Sequence, residues 1–350
     1  MAREVPVRVA VDTAGREPGC RTVLEGVIAA QEEAGAQGVI FHPVLYGSSD
    51  VIRETLREIT GSVKAEDDYI IRHSPETIEM NEEASEALRS KPNSSILCGI
   101  KDLAAGAIDA FVSLGNTGAV VGGSRAVLKQ MRWIGKPALA VPIPKKGGGW
   151  SVLLDIGASP DPKPGHLLQF AAMGSVYIER LHRVKNPRVG LLNIGSESHK
   201  GDERARDTHK LLQRSPLNFI GNIEGSDIFH DKADVIVTTG FVGNILLKFI
   251  ESIPSFFEGM RSSDGSMSAG AETLSQFDYR RYGGACLLGV DGTVIIGHGK
   301  SSPEAVAGAL RLARTLVSRD MLGVLREQVF KTRRAVWLSN PFSRGDGLDD

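Results

Sequence analysis

The sequence predicts an α/β protein, on three observations: short apolar runs recur along the chain, stretches with apolar residues three and four apart lie between them, and run after run ends in a turn of Gly, Asn, Thr or Ser. Parallel strands buried on both faces read as near-continuous apolar runs, and a helix covering a sheet repeats its apolar stripe with the helical period. Strands are expected over 5–12, 39–46, 108–113, 138–143, 152–156, 188–194, 235–238 and 293–296. Helices are expected over 22–33, 94–105, 118–130, 166–181 and 302–330. Ser302 before Pro303 and Glu304 has the polar residue followed by proline that opens a helix.

Two segments break this rhythm. Pro144-Lys145-Lys146-Gly147-Gly148-Gly149 reads as a flexible, exposed basic turn between strands, and 261–270 is rich in Ser, Gly and Met. The tail from Asn340, with Pro341, two glycines and three aspartates, reads as disordered over 340–350. Residues 1–339 are then one α/β domain.

Composition bounds the function. With 350 residues, 41% hydrophobic and 24% charged, the chain can bury a sizeable core. Its 41 Lys and Arg balance 42 Asp and Glu, a net charge of -1, so no global field draws it to nucleic acid or acidic lipid, and any anion site must be local. Cys20, Cys98 and Cys286 are odd in number and far apart, which argues against a disulfide framework or a zinc site and for a reducing compartment. No apolar signal core follows Met1, and no run approaches the roughly 18 apolar residues of a spanning helix, so a soluble, cytoplasmic protein is expected.

In open α/β sheets ligands sit outside the carboxyl ends of the strands, so the turns there are expected to line one crevice. The strongest is Ser113-Leu114-Gly115-Asn116-Thr117-Gly118. Its glycines let the backbone approach a ligand, the helix start supplies free N–H groups, and Asn116 and Thr117 add neutral donors, a cradle for phosphate. The same pattern also describes a tight strand-to-helix turn in which Asn or Thr is only a cap. In Asn193-Ile194-Gly195-Ser196-Glu197-Ser198-His199-Lys200-Gly201, Lys200 can hold a phosphate as a point charge, and Glu197 can orient it or take a proton; a solvated surface pair is the alternative. Thr239-Gly240-Phe241-Val242-Gly243-Asn244 opens a further helix, where Asn244 either donates to a carbonyl oxygen or caps. His298, between Gly297 and Gly299, has the side chain whose ordinary pKa suits proton transfer near neutrality. Cys286 lies among small apolar residues and reads as buried filler rather than an acyl carrier. The chain lacks a phosphate-binding G-x-x-x-x-G-K-[ST] loop, a G-x-S-x-G elbow, an H-E-x-x-H helix and a G-x-G-x-x-G turn after its first strand. Nucleotide hydrolysis, serine hydrolysis and metal hydrolysis lose support accordingly.

Taken in order, these turns resemble one family over nearly the whole chain, the bacterial PlsX-type phosphate acyltransferases. The pieces are Pro75-Glu76-Thr77-Ile78 with Ser94-Ser95, Asp109 through Ala119, Leu153-Leu154-Asp155-Ile156-Gly157-Ala158, Gln169 through Ser175, Leu191 through Gly201, Asn218 through Gly225, Gly240 through Asn244, Tyr282 through Gly289, and His298-Gly299-Lys300-Ser301-Ser302. The resemblance implies transfer of a fatty acyl group from acyl carrier protein to inorganic phosphate, giving acyl phosphate for phospholipid synthesis. It implies a three-layer α/β/α fold like that of the isocitrate and isopropylmalate dehydrogenases, a homodimer, and no cofactor or metal. On this reading Asn116, Lys200, Asn244 and His298 are catalytic, and Asp12, Ser113, Gly115, Thr117, Gly118, Asn193, Glu197, Gly240 and Gly243 bind substrate.

Departures from the family pattern are equally specific. The first strand ends Asp12-Thr13-Ala14-Gly15-Arg16-Glu17, where the family has Asp-Ala-Met-Gly-Gly-Asp; Thr239 stands where the family has Asp; Ser159 replaces an Asn. A helical hairpin that contacts membrane in the family is expected here in shortened form at about 246–281, with Phe249, Ile253, Phe256, Phe257 and Met260 as an apolar tip or dimer contact and Pro254 as a kink. Core packing is the other reading of those residues. The altered carboxylates motivate one alternative, a non-catalytic paralogue that binds acyl carrier protein or acyl phosphate; a resemblance to the phosphate-acyl-transferring subunit of glycine reductase complexes gives another, a short-chain acyl-phosphate-forming subunit of a reductase complex.

Overall fold

A computed structural model of the chain describes residues 6–15, 19–62, 68–258 and 283–339. The chain divides into two compact units, Met1–Lys129 with Tyr279–Asp320, and Gln130–Asp278 with Met321–Asp350.

The first unit holds strands β1 (Val7–Asp12), β2 (Phe41–Gly47), β3 (Ile70–His73) and β4 (Ala110–Ser113), with β10 (Ala285–Leu288) and β11 (Thr293–Ile296). Their order is β3-β2-β1-β4-β11-β10, with β10 alone antiparallel to its neighbour β11. Every residue of β4 is buried, which on a pleated strand requires cover on both faces. The unit's helices are α1 (Cys20–Ala36), α2 (Ser49–Thr60), α3 (Ala84–Ser90), α4 (Ser95–Ala104), α5 (Thr117–Val127) and α9 (Pro303–Ser318), of which α4 and α9 pack on β4. Two caps show how the sequence starts these helices: the Ser94 hydroxyl accepts from the Leu97 N–H at 3.4 Å, and the Asn116 side chain accepts from the Ala119 N–H at 3.0 Å. Ser302 sits at the cap position of α9, with Pro303 as first residue, but makes no side-chain cap bond.

The second unit holds β5 (Ala138–Pro144), β6 (Trp150–Leu154), β7 (Val189–Leu192), β8 (Phe219–Ile223) and β9 (Val235–Val237) in the order β5-β6-β9-β7-β8. Strands β5 and β6 form an antiparallel hairpin, and the remaining pairs are parallel. Helices α6 (Pro164–His182), α7 (Glu203–Gln213), α8 (Gly240–Glu258) and α10 (Met321–Ser339) belong to this unit. Helix α6 lies against β6 and β9 and is buried over most of its length.

The α/β expectation therefore holds, with corrections. The pairing is mixed rather than all parallel, because two of the turns are too short for a crossover helix and close antiparallel hairpins instead. Strands β3 and β8 are not expected from the sequence because they are short edges: Ile70–His73 is largely exposed, and Gly221 and Asn222 interrupt the apolar run of Phe219–Ile223; β10 is not expected because Ala285–Leu288 is only four residues long and lacks β-branched and aromatic side chains. Helices α2, α3 and α7 bury too few residues to stand out in the sequence. The single helix expected over 302–330 breaks at Arg319 and Asp320, the latter with φ 47, into α9 and α10. The expected hairpin begins in α8, and its remainder, like the tail after 339 and the segment 261–270, lies outside the described residues.

The basic turn is also corrected. Lys146 to Gly149 are exposed, but the Lys145 side chain is 7% exposed, with its ammonium 2.5 Å from Asp234 and 3.0 Å from Asp231. The Arg188 guanidinium closes the cluster against both carboxylates. These groups sit at the amino ends of β7 and β9, where they tie the β5–β6 hairpin to the parallel strands. Hydrogen bonds from Arg188 and Lys145 outweigh burial and hold the Asp234 carboxyl well below its usual range, at about 2. Removing one partner of a buried ion pair leaves an uncompensated charge. Asp234→Asn is therefore expected to cost about 3 kcal/mol in urea unfolding near pH 7. Because the folded pKa is depressed, this stability is present above the unfolded value of 3.8 and is lost as pH falls toward 2, so the gap between wild type and variant should close across that window.

Candidate functional site

The sequence-predicted residues divide between the two units. In the first, the register that sets Val11 beside Val112 brings Asp12 and Ser113 together at the carboxyl ends of β1 and β4. The Ser113 hydroxyl donates to Asp12 Oδ2 at 2.6 Å and accepts from the Gly115 N–H at 3.1 Å, while Asp12 Oδ1 accepts from the Ala14 N–H at 3.1 Å. Asp12 and Ser113 are buried. A Cβ at position 115 would lie 3.1 Å from Asp12 Oδ2, so glycine is what lets the loop close over the carboxylate. Asp12 and Ser113 thus fix the backbone of the turn that leads into α5. Arg16 and Glu17, the altered part of the first turn, lie outside the described residues.

Asn116 is fully engaged. Its Oδ1 caps α5, and its Nδ2 donates to the Glu79 carbonyl at 3.1 Å and the Glu82 carbonyl at 2.9 Å. As it stands the side chain clamps the 79–82 segment to the helix start and has no donor to spare for a ligand, so of the two sequence readings the cap is the one the geometry displays. Thr117 and Gly118 follow as the exposed first turn of α5, whose leading N–H groups no helix satisfies internally. Unsatisfied N–H groups at a helix start are the kind of donor that can receive an anion. The pairing of Ile296 with Ser113, and a bond from the Gly297 N–H to the Ser113 carbonyl at 2.9 Å, bring the His298 turn alongside. His298 is half-buried, and its Nδ1 lies 3.1 Å from the Lys300 N–H, which makes Nδ1 an acceptor and leaves the proton of the neutral ring on Nε2. Cys286 is buried, and burial pushes its thiol up to about 12, so the thiolate needed for acyl transfer is not formed near neutrality.

In the second unit the organising residue is Asp155, to which the sequence pattern assigns no role. Its Oδ1 accepts from the N–H groups of Leu139 (2.9 Å), Gly157 (3.0 Å) and Ala158 (2.9 Å), and its Oδ2 from that of Ser159 (2.6 Å). Burial pushes the carboxyl above its ordinary value, against the pull of these four donors. The available signal was an acid at a strand end followed by Gly-Ala-Ser, the pattern of a side chain bonding its own following backbone.

Gly240 and Gly243 pack on this loop. The Gly240 N–H donates to the Ser159 carbonyl at 3.0 Å, and a Cβ at 243 would fall 1.9 Å from the Asp155 carbonyl oxygen, so α8 reaches its position only with glycine there. Thr239 caps α8, its hydroxyl accepting from the Val242 N–H at 3.3 Å. Asn244 is exposed over Gly157, and among the described residues its side chain has no hydrogen-bond partner.

Asn193 spends its side chain on its own loop, donating to the Lys200 carbonyl at 3.0 Å and accepting from the Ile194 N–H at 2.8 Å. It thereby holds the backbone beneath Lys200. The Glu197 and Lys200 side chains flank Gly195; Glu197 is exposed and Lys200 half-buried, and among the described residues neither charge has an ion-pair partner. The expected surface pair is thus not formed, and Lys200 is a cation available to an anion. Among the described residues no group of His, Cys, Asp and Glu side chains has the makings of a metal site.

Comparison with known proteins bears on the fold and the family. A phosphotransacetylase from Streptococcus pyogenes superposes with TM-score 0.59 at 15% identity, over 91% of this chain and 94% of that one. The 4-hydroxythreonine-4-phosphate dehydrogenase from Klebsiella pneumoniae does so with TM-score 0.52 at 12% identity, over 90% and 99%. Their likeness defines the class, a Rossmann-like α/β fold shared by phosphotransacylases and a dehydrogenase. Phosphate acyltransferases from Heliobacterium modesticaldum and Bacillus subtilis are each 38% identical, over 92% of this chain and 98% of the relative. The model of the fatty acid synthesis protein family matches residues 7–323. The chain belongs to that family and is a PlsX-type protein.

Stability separates the structural side chains from the free ones. Asn116→Ala removes a cap and a loop clamp and is expected to cost about 2 kcal/mol in denaturant unfolding, and Thr239→Val, which removes a cap, about 1 kcal/mol. Lys200→Ala should stay within about 0.5 kcal/mol of wild type. A Lys200 effect as large as that of Asn116 would show that the lysine holds the loop together.

Proposed function

We propose that this chain transfers a fatty acyl group from acyl carrier protein to inorganic phosphate, releasing acyl phosphate for phospholipid synthesis. The observation that carries the reading is identity of 38% with phosphate acyltransferases across 92% of the chain. The geometry is compatible chemically. A phosphate oxygen attacks the thioester carbonyl, the C–S bond breaks as the acyl–O bond forms, and the departing thiolate takes a proton. Phosphate is already a nucleophile near neutral pH, so catalysis consists mainly of positioning it and stabilising the developing oxyanion.

The proposed roles follow from what each side chain has free. In the first unit, the N–H groups at Thr117 and Gly118 bind a phosphate oxygen, Asp12, Ser113, Gly115 and Asn116 hold their loop in shape, and His298 delivers the proton to the thiolate. In the second, Lys200 pairs with phosphate charge, Glu197 orients it, Asn193 holds its backbone, and Asn244 donates to the carbonyl oxygen, positioned by Gly240 and Gly243. No cofactor enters this scheme. Thr239 keeps the capping bond of the turn it occupies, which removes much of the motive for a non-catalytic scaffold, and the relatives' identity does not favour the reductase-complex reading.

A cytoplasmic homodimer with peripheral membrane contact belongs to the same proposal. It is supported by the exposed apolar residues Phe241, Ile245, Phe249 and Phe256, which lie along α8 at near-helical spacing. Among the described residues no helix is long and apolar enough to cross a membrane. Nucleic acid is not a partner in this reading.

Purified protein given long-chain acyl carrier protein and phosphate should form acyl phosphate, trapped by hydroxylamine as the hydroxamate; no product above background across several acyl donors would defeat the assignment. Lys200→Ala should raise KM for phosphate about tenfold or more with a smaller change in kcat. Asn244→Ala should lower kcat roughly 100-fold, the scale of losing one oxyanion donor. An Asn244 variant with wild-type kcat would remove that residue from the mechanism.

A further inference from the structure

The second unit contains a cleft of ≈ 630 Å³, with Asn193 and Phe241 in its lining, to which the roles above assign no ligand. Leu167 and Leu191, both buried, line it together with Ile194, Phe241, Val242 and Leu246, and Thr238 and Thr239 lie along it beside the turn that opens α8. Its volume falls in the range of small-molecule sites, about 300–1,000 Å³. We propose that this cleft is the binding site for the hydrocarbon chain of the acyl group, an inference that rests on the acyl-transfer reading.

The polar groups in the lining decide the class of occupant. The Arg204 guanidinium is paired with Asp161 at 2.5 Å, Asp202 caps α7 by accepting from the Ala205 N–H at 2.7 Å, Asn193 is spent on its own loop, and the Thr239 hydroxyl accepts from the Val242 N–H. A peptide or a headgroup would find few donors and acceptors here, whereas a saturated chain needs none. The cleft is also open where a chain must enter: Ile194 is 83% and Phe241 65% exposed, while the Leu167 and Leu191 end is buried. Thr239, the one lining residue that also caps α8, precedes the Gly240–Asn244 turn packed on the Asp155 loop. A chain lying in the cleft would therefore carry its carboxyl end toward the turn that presents Asn244. Burial of each methylene is worth about fourfold in affinity, so the cleft selects long chains over short ones.

Two substitutions at exposed wall positions test this with little risk to folding: Val242→Trp narrows the cleft, and Ile194→Glu sets a charge at its mouth. Binding of a fluorescent fatty acid, parinaric acid, is measured alongside the ratio of kcat/KM for palmitoyl over butyryl acyl carrier protein. Each variant should weaken parinarate binding at least tenfold and lower that ratio at least tenfold. If acyl phosphate forms but both readouts stay at wild-type values in both variants, the cleft does not hold the chain and the acyl-transfer reading stands. Should no donor yield acyl phosphate, the reading fails, and the binding measurement still decides whether the cleft takes a fatty chain. Variants that alter only the association state mark the cleft as an interface between copies and overturn the proposal.

Discussion

The buried Asp155 carboxylate is the point on which the loops at the start of α8 in the second unit depend. It accepts from Leu139 on β5 and from Gly157, Ala158 and Ser159 in the loop after β6, and so ties the hairpin to the turn that follows it. A carboxylate with fewer donors would not survive burial; with four it is held, although its pKa still rises. The backbone it shapes is the surface against which Gly240 and Gly243 pack, and neither position admits a Cβ without displacing that backbone. One satisfied charge thus sets the start of α8, the placing of Asn244 over Gly157 and the wall that Phe241 and Val242 give to the cleft.

The first unit solves the same problem with other groups. Asp12, Ser113 and Gly115 form a short chain of hydrogen bonds beneath the turn, and Asn116 fastens the 79–82 segment over it. In both units the conspicuous polar side chains are spent on the loop, which leaves main-chain N–H groups and a few side chains unengaged. This division follows from desolvation: a buried amide or carboxylate must be satisfied within the protein, so it shapes the site, while a group that meets substrate has to remain incompletely bonded until substrate arrives. Asn116 and Asn244 illustrate it, being the same residue type at two helix starts, one with its amide fully bonded and buried, the other exposed and unpartnered.

Periodicity made most of the architecture legible in the sequence, because β1, β4, β5 and α6 bury nearly continuous apolar surface and their composition shows it. It missed β3 and β8, where an edge strand needs only one covered face, and β10, whose four residues Ala285–Leu288 include no β-branched or aromatic side chain. The turns at the carboxyl ends of β1, β4, β6 and β9 stand out in the sequence by their Gly, Asn, Thr and Ser content. Composition cannot say which amide is consumed and which is free, however, because that depends on partners distant in sequence: Asn116 is bonded to residues more than thirty positions away. Lys145 failed for the same reason. Its three following glycines announce an exposed turn, and only the approach of Asp231 and Asp234 turns the lysine inward.

Thr239 is where sequence and structure bear most directly on each other. The family pattern has Asp there, and loss of a carboxylate at a site turn reads from sequence alone as a threat to activity. In the folded chain the residue is the N-cap of α8, a position that Asp and Thr fill by the same bond from side-chain oxygen to backbone N–H. The cap survives the exchange, so the helix start and the glycines behind it keep their places. What changes is the field. The adjoining Gly240 lies against the buried Asp155 carboxylate, and a second carboxylate one residue away would oppose that charge and any anion near the turn. With Thr the capping oxygen is neutral and Asp155 is spared a like charge, so Asp155 is the one carboxylate among the described residues set against Gly240 at the start of α8. The substitution therefore alters the electrostatics of the turn while keeping its shape.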